Sequence, residues 1–380
     1  MTTRRRAPAG HPIVVKVGSS SLASRAGGLN GVALRSVVDQ VVELWSLGHP
    51  TVLVSSGAVA AGLLELGIER RPVHVPDLQA AAAVGQGRLM ERYATEFGAQ
   101  QRLVGQVLLT KDVLANRGQY LHAREALDRM LSLGIVPVVN ENDTVVIDEL
   151  RLGDNDRLAA IVSHLVGAAL LVLLTDTAGL YSEDPHLATE AELLTAVRHT
   201  DEILDKLAAG RSGPMGSGGV ATKVVAARMA AWSGVPTVVA GSYEERAAVR
   251  AAAGETVGTW IEPHPSRLPS RKLWIAFGQP AEGSLRVDAG AVQAMVSRGS
   301  SLLPVGITEI QGDFGEGAAV EVLDPGGSLV GKGLVTLSSA ALRPLLGRHS
   351  SAIAVDGWGG EVIHRDDLVV LVDDSERSIG

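Results

Sequence analysis

Six short, almost uninterrupted apolar runs, each separated from the next by a longer helix-forming stretch, constrain this chain more than any other feature. They span 13–17, 51–55, 104–110, 135–140, 169–175 and 236–240. Most lack the inside/outside alternation of a half-exposed strand. Such runs are buried on both faces, as in a parallel sheet covered by helices. Between them, 32–47, 79–100, 123–133, 157–165 and 221–233 are rich in helix formers. Repetition of strand, helix and strand predicts a doubly wound α/β layer structure. Aromatic residues are only 3% of the chain, so its core must be built from Val, Leu, Ala and Ile.

The texture changes near residue 262. Glu262-Pro-His-Pro-Ser-Arg-Leu-Pro-Ser-Arg271 reads as a linker, and closely spaced glycines at 299, 306, 312, 315, 317, 326 and 327 follow it. The expected division is a tail at 1–11, an α/β domain at 12–261, a linker at 262–281, a small β-rich domain at 282–366 and a second tail at 367–380. Arg4, Arg5 and Arg6 resemble a signal-peptide start, but Pro8, Gly10 and Pro12 interrupt the apolar stretch that should follow. Residues 1–11 are therefore expected to be frayed. No apolar run reaches spanning length, so the expected location is the cytoplasm.

Composition removes several chemistries. The chain has no cysteine, which excludes disulfides, thiolate nucleophiles and cysteine-bound metals. Its histidines show no metal-ligand spacing, and no protein metal site is expected. The net charge of −8 disfavours nucleic acid or an anionic membrane as main partner.

Ligands of open α/β sheets bind at the carboxyl ends of the strands. The first run is followed by Lys16-Val-Gly-Ser-Ser20, and the second by Ser55-Ser-Gly-Ala-Val59. Either could present backbone N–H groups to an anion, as readily as form an ordinary turn or a serine helix cap. The fourth run leads into Asn140-Glu-Asn-Asp143 and then Gly153-Asp-Asn-Asp156. An acidic surface loop is the plain reading of these clusters. Their position between a very apolar strand and an apolar helix favours a site. Thr175-Asp-Thr-Ala-Gly179 follows the fifth run, and Met215-Gly-Ser-Gly-Gly-Val-Ala-Thr-Lys223 opens a helix. The latter could be a flexible loop or a phosphate cradle; it is not a Walker A loop, because no Gly-Lys-Ser/Thr triplet ends it. Two lysines, two glycine-rich anion sites and an acidic cluster at one end of a sheet suit phosphoryl transfer, where catalysis is positioning and charge stabilisation.

These motifs, in this order, resemble the amino-acid kinase family, and within it the branch that phosphorylates the side-chain carboxylate of glutamate. The resemblance also rests on Ala82-Ala-Val-Gly-Gln86 and Leu174-Thr-Asp-Thr-Ala-Gly-Leu-Tyr181. Arg298-Gly-Ser-Ser-Leu-Leu-Pro304 and His364-Arg-Asp-Asp367 resemble a PUA-type tail. The sequence departs at Val220-Ala221, where relatives often carry Met-Ser. By that similarity the fold is an α/β/α sandwich on a mostly parallel sheet plus a small PUA-type barrel. Lys16 and Lys223 would stabilise the transferring phosphoryl group, and Asp156 would orient both. Ser56, Asp143 and Asn155 would hold L-glutamate. Lys16, Thr175, Asp176 and the loop Ser217, Gly218, Gly219, Val220, Ala221, Thr222 and Lys223 would hold ATP, with Mg²⁺ arriving on the nucleotide. The implied product is L-glutamyl 5-phosphate, the first intermediate of proline biosynthesis. The resemblance further implies proline as a feedback inhibitor, a dimer or tetramer, and a transient complex with the reductase that consumes the product. Two rivals remain: a family member acting on acetylglutamate, aspartate or carbamate, and an RNA-binding protein acting through the tail. From Gly283 onward, 7 Lys and Arg face 13 Asp and Glu, which weighs against RNA.

Overall fold

The computed structural model describes residues 4–24, 27–114, 116–145, 154–185, 191–209, 219–348, 358 and 360–372. The chain divides into two compact units, Met1–Arg267 and Leu268–Gly380.

The first unit is built on an eight-stranded sheet. Its strands are β1 (Ile13–Val17), β2 (Thr51–Ser55), β3 (Val104–Leu109), β4 (Val136–Glu141), β5 (Leu170–Thr175), β6 (Ala196–Arg198), β7 (Thr237–Gly241) and β8 (Thr259–Glu262). The order is β3-β4-β2-β1-β5-β7-β8-β6. All neighbouring pairs are parallel except β7 with β8. Every residue of β1, β2, β4, β5 and β7 is buried, which is why these strands read as continuous apolar runs. Strands β3 and β6, at the two edges, are exceptions and only partly buried.

Successive strand residues face opposite sides of the sheet. Ile13, Val15 and Val17 join one core with the helices Gly31–Ser46 and Val75–Ala99, through Leu34, Val38, Leu89, Tyr93 and Phe97. Lys16 alternates with them and points to the other side, where the helices Asp154–Leu165 and Gly219–Trp232 pack against each other. The strand order reverses around β1: β2 lies on one side of it and β5 on the other, both parallel to it. The carboxyl ends of β1 and its neighbours therefore surround a topological switch point.

Local sequence explains several boundaries. Asn30 accepts from the N–H groups of Val32 and Ala33 and starts the helix Gly31–Ser46. Gly57, at φ +110°, makes the turn from β2 into the helix Ala58–Glu65, in a conformation that a side chain would strain. That helix lies backbone to backbone on the helix Val75–Ala99. A Cβ on Gly85 would stand 1.8 Å from the Ala58 carbonyl oxygen, and one on Gly62 1.8 Å from that of Ala81.

The second unit holds a five-stranded sheet of β9 (Gly283–Val287), β10 (Ile307–Gly312), β11 (Ala319–Leu323), β12 (Leu329–Leu334) and β13 (Leu368–Val370), in the order β10-β9-β11-β12-β13. Only β9 and β11 are parallel. Leu285, Val287, Val320, Val322 and Val330 form its core with Val292 and Met295 of the helix Ala289–Arg298. Asp288 caps that helix at its start, and Gly299, at φ +59°, ends it.

Three expectations about non-structured segments differ from the structure. Residues 4–11 are anchored rather than frayed: the Arg4 guanidinium donates to the carbonyls of Thr195, Glu255, Val257 and Gly258, and the Ala7 N–H donates to Ala252 O. Within the expected linker, Glu262 ends β8, and Ser270–Leu273 followed by Trp274–Gly278 is helical, with Leu273 and Ile275 fully buried. Proline and serine there start a helix instead of loosening the chain, because Pro269 at the N-cap needs no N–H partner. In the expected final tail, Leu368–Val370 is strand β13.

Candidate active site

Lys16 is the fourth residue of β1, in register with Val54 of β2 and Leu173 of β5. A charged group in a wholly buried strand is costly unless it is paired. Its partner is Asp156, on the first turn of the helix Asp154–Leu165, with Nζ to Oδ1 at 2.5 Å. Both are nearly inaccessible, at 4% and 1% exposure. The start of a helix favours a carboxylate through its free N–H groups and dipole.

The other oxygen of Asp156 faces the helix Gly219–Trp232. Thr222 Oγ1 donates to Asp156 Oδ2 at 2.9 Å, and Lys223 Nζ stands 3.7 Å from the same oxygen. Lys223 Nζ also donates to Gly219 O at 3.0 Å. One carboxylate thus links two ammonium groups from two elements. Burial pushes the Asp156 carboxyl up, but the charges of Lys16 and Lys223 and the hydrogen bonds from Lys16 and Thr222 outweigh it and hold it below the ordinary carboxylate value. Burial is also the main force lowering the Lys16 ammonium; Asp156 opposes this and Lys223 adds to it. Two cations and one anion leave the cluster with one positive charge in a largely desolvated place.

Asn155, the residue before Asp156, builds a second, uncharged group. Its Nδ2 donates to Ser56 Oγ and to Asn140 Oδ1, both at 2.9 Å. Asn140 Nδ2 donates in turn to Gln86 Oε1 at 2.8 Å, and Asn140 Oδ1 also accepts from the Glu141 N–H at 2.9 Å. This chain connects the carboxyl ends of β2 and β4, the helix Val75–Ala99 and the helix Asp154–Leu165. It leaves one buried acceptor, Asn155 Oδ1, and one buried donor, Gln86 Nε2, without a partner among the described residues. Buried polar atoms are normally satisfied, so such a pair fits a polar ligand. Below the network, Ser55 Oγ and Tyr93 Oη bond at 2.7 Å inside the core.

The structure brings together Lys16, Lys223, Asp156 and Thr222 in one cluster, and Ser56 and Asn155 in the adjoining network. Thr175 ends β5, two residues beyond the one in register with Lys16, and its hydroxyl donates to Asp176 Oδ1 at 2.9 Å. Thr175 is buried and Asp176 exposed, and the Asp176 charge acts on Lys16. Asp143 is half-buried in the turn after β4, while Asn140 is the residue of that segment which enters the amide network. Gly219, Val220 and Ala221 belong to the helix itself rather than to a loop, so their N–H groups lie in its first turn. Ser217 and Gly218 lie outside the described residues. Sequence reasoning did not nominate Asn140 or Gln86. A glutamine on a helix face otherwise made of Leu78, Ala81, Ala82, Gly85 and Leu89 was the available signal.

A buried carboxylate bridges two lysines at a sheet switch point, and the chain belongs to the amino acid kinase family, whose model matches residues 11–241. The PUA domain model matches residues 283–355, in the second unit. Among similar proteins is the glutamate 5-kinase of a Marinomonas species, 45% identical over 98% of this chain and 100% of that one. Those of Frankia casuarinae and Thermobifida fusca are 48% and 44% identical, covering 95% and 97% of this chain and 96% and 95% of theirs.

Proposed function

We propose that the chain transfers the terminal phosphoryl group of ATP to the γ-carboxylate of L-glutamate, giving L-glutamyl 5-phosphate. The observation that carries this reading is the Lys16–Asp156–Lys223 cluster with its unmatched positive charge. A phosphoryl group in flight spreads negative charge over its oxygens, and fixed cations in a dry site stabilise it. Asp156 holds both ammonium groups in place before the substrate arrives, so little reorganisation is left for the reaction step. A second support is the similarity, over nearly the whole chain, to glutamate 5-kinases.

In this reading Lys16 and Lys223 contact the transferring group from two sides. The amide network takes glutamate: Gln86 Nε2 can donate to a carboxylate, Asn155 Oδ1 can accept from an ammonium, and Ser56 and Asp143 complete the pocket. Thr175, Asp176 and the residues from Ser217 to Lys223 take ATP. The side-chain carboxyl of glutamate, with an ordinary pKa of about 4.3, is ionised at neutral pH, so the nucleophile needs no general base. Mg²⁺ supplies countercharge between phosphate oxygens when bound. Asp176, exposed just after β5, is a carboxylate that could face the ion.

The product is an acyl phosphate, which water destroys. Hand-over to a reductase in a transient complex, inhibition by proline at the glutamate pocket and a dimeric or tetrameric assembly belong to the same proposal. No described helix is long and apolar enough to cross a membrane. The test is turnover of ATP with Mg²⁺ and a panel of acids, trapping acyl phosphate as hydroxamate, for the wild type and Lys223→Ala. Glutamate-dependent hydroxamate that nearly vanishes in the variant is expected. Product only with acetylglutamate or aspartate would replace the substrate, and no product with any acid would overturn the kinase reading.

A further inference from the structure

The two helices that carry the charge cluster meet again at their far ends. The helix Asp154–Leu165 presents Asn155 and Asp156 from its first turn, and the helix Gly219–Trp232 presents Thr222 and Lys223. Both carboxyl ends are held by the short segment that follows β8. Arg267 Nη2 donates to His164 O at 2.5 Å and to His164 Nδ1 at 3.3 Å. The His264 N–H donates to Ala231 O at 2.9 Å, and the His264 ring stacks on Trp232 with centroids 4.1 Å apart. His199 closes edge-on against both rings, at 5.5 Å from Trp232 and 5.2 Å from His264. Gly167 and Gly234, just past the two helix ends, turn the chain at φ +59° and +73° and lie alongside Arg267.

We propose that Arg267 and His264 form a clamp that fixes the tilt of the two helices and so sets the position of Lys223 against Asp156. Arg267 is then a positioning residue that touches neither substrate, and this inference rests on the kinase reading above. A cation at a helix carboxyl end offsets the partial negative charge of the last carbonyls; the Arg267 guanidinium does this at His164, while the His264 N–H meets the last carbonyls of the other helix at Ala231. The His164 ring is 2% exposed and accepts from the guanidinium, so it must be neutral, in keeping with burial and the Arg267 charge pushing its pKa down to about 3. The lever is long. Twelve helical residues span about 18 Å, so a tilt of about 3° moves the far end by about 1 Å. A misplacement of about 1 Å can cost about a hundredfold in rate. The link to be protected, between Asp156 Oδ2 and Lys223 Nζ, is already 3.7 Å long.

The test uses the full chain with Arg267→Ala, Arg267→Lys, Thr222→Val and the Arg267→Ala/Thr222→Val double variant. Steady-state kinetics are read per folded molecule, and hydrogen exchange is followed in residues 155–158 and 219–224. Arg267→Ala should lower kcat about tenfold with KM for ATP and glutamate little changed. Arg267→Lys, which keeps a donor for His164 O, should restore most of it. In the Thr222→Val background the Arg267→Ala effect should shrink, because both act on the same link. Exchange should rise at both amino-terminal segments, about two to three turns from the clamped ends. Unchanged kcat per folded molecule, or strictly multiplicative losses with exchange altered only near residues 164 and 231, would overturn the clamp. Wild-type protein that turns over no acid, with exchange still rising at both distant segments, would overturn the kinase reading and leave the clamp standing.

Discussion

Among the described residues two lysines are buried, one in each unit, and their partners differ in kind. Lys16 is 4% exposed and pairs with Asp156, a carboxylate shared with a second lysine. Lys332, on β12, is 8% exposed, and its partners include the carbonyl oxygens of Ala276, at 3.4 Å, and Gln279. Those carbonyls belong to the helical turn Trp274–Gly278 and the residue after it, and they lack helical partners of their own. The Lys332 ammonium satisfies backbone groups of its own unit and fastens a turn. The Lys16 cluster sets two ammonium groups against one shared carboxylate, with the Asp176 charge also acting on Lys16. Burial of a charge does not mark a site; the identity and charge of what faces it does.

The comparison can be broken by changing each side in turn. Replacing Lys16 by Ala should lower kcat per folded molecule about a thousandfold, or about 4 kcal/mol, in the hydroxamate assay, and should also lower the thermal midpoint, because buried Asp156 loses a partner. The next largest effect should be purely structural. Gly85→Ala places a Cβ on the Ala58 carbonyl, with no room for either helix to yield. It should destabilise the first unit by about 3 kcal/mol or prevent folding, as read by denaturant titration. Lys332→Met should cost about 2 kcal/mol in the same titration, because carbonyls are left unpaired, and leave kcat unchanged. A thousandfold loss of turnover in Lys332→Met would abolish the distinction.

The smallest effect sharpens it through pH. His164 is neutral in the folded protein, with a pKa lowered to about 3 against 6.5 when unfolded. Below pH 6.5 the unfolded chain takes up a proton that the folded chain refuses. Stability from this group is complete above pH 6.5 and is lost as pH falls toward 3. Between pH 7.5 and 5.5 the loss should be about 1.4 kcal/mol in the wild type and nearly absent in His164→Gln, measured as the change in urea midpoint.

Much of the first unit was legible because parallel strands covered on both faces cannot hide their apolar runs. The expected strand at 135–140 and the observed Val136–Glu141 differ by a single residue at each end. Strands β6 and β8 were not legible. Ala196–Arg198 has three residues, one of them charged, and Thr259–Glu262 pairs antiparallel with β7 through contacts that no local pattern encodes. The N-terminal arginines looked like a tail because their partners, the carbonyls of residues 195 and 255–258, are distant in sequence. In the site, charges stood out where they closed an apolar strand, as at Lys16 and Asp176. The residues alone did not pair Asp156 with Lys16, Lys223 and Thr222. Asp156 and Thr222 are 66 positions apart, and only the packing of two helices brings them within 2.9 Å. Thr222 was expected as a nucleotide contact, and its hydroxyl also donates to Asp156.

Asp156→Asn tests the central claim most directly, because it keeps the shape of the side chain and removes the charge that holds both lysines. The measurement is hydroxamate formation from ATP and glutamate, together with the thermal midpoint of the same preparation. A fall in kcat of about a thousandfold, with KM for glutamate little changed and the fold intact, is the predicted result. Turnover within a few fold of wild type would contradict the account, since the two ammonium groups would then need no carboxylate between them.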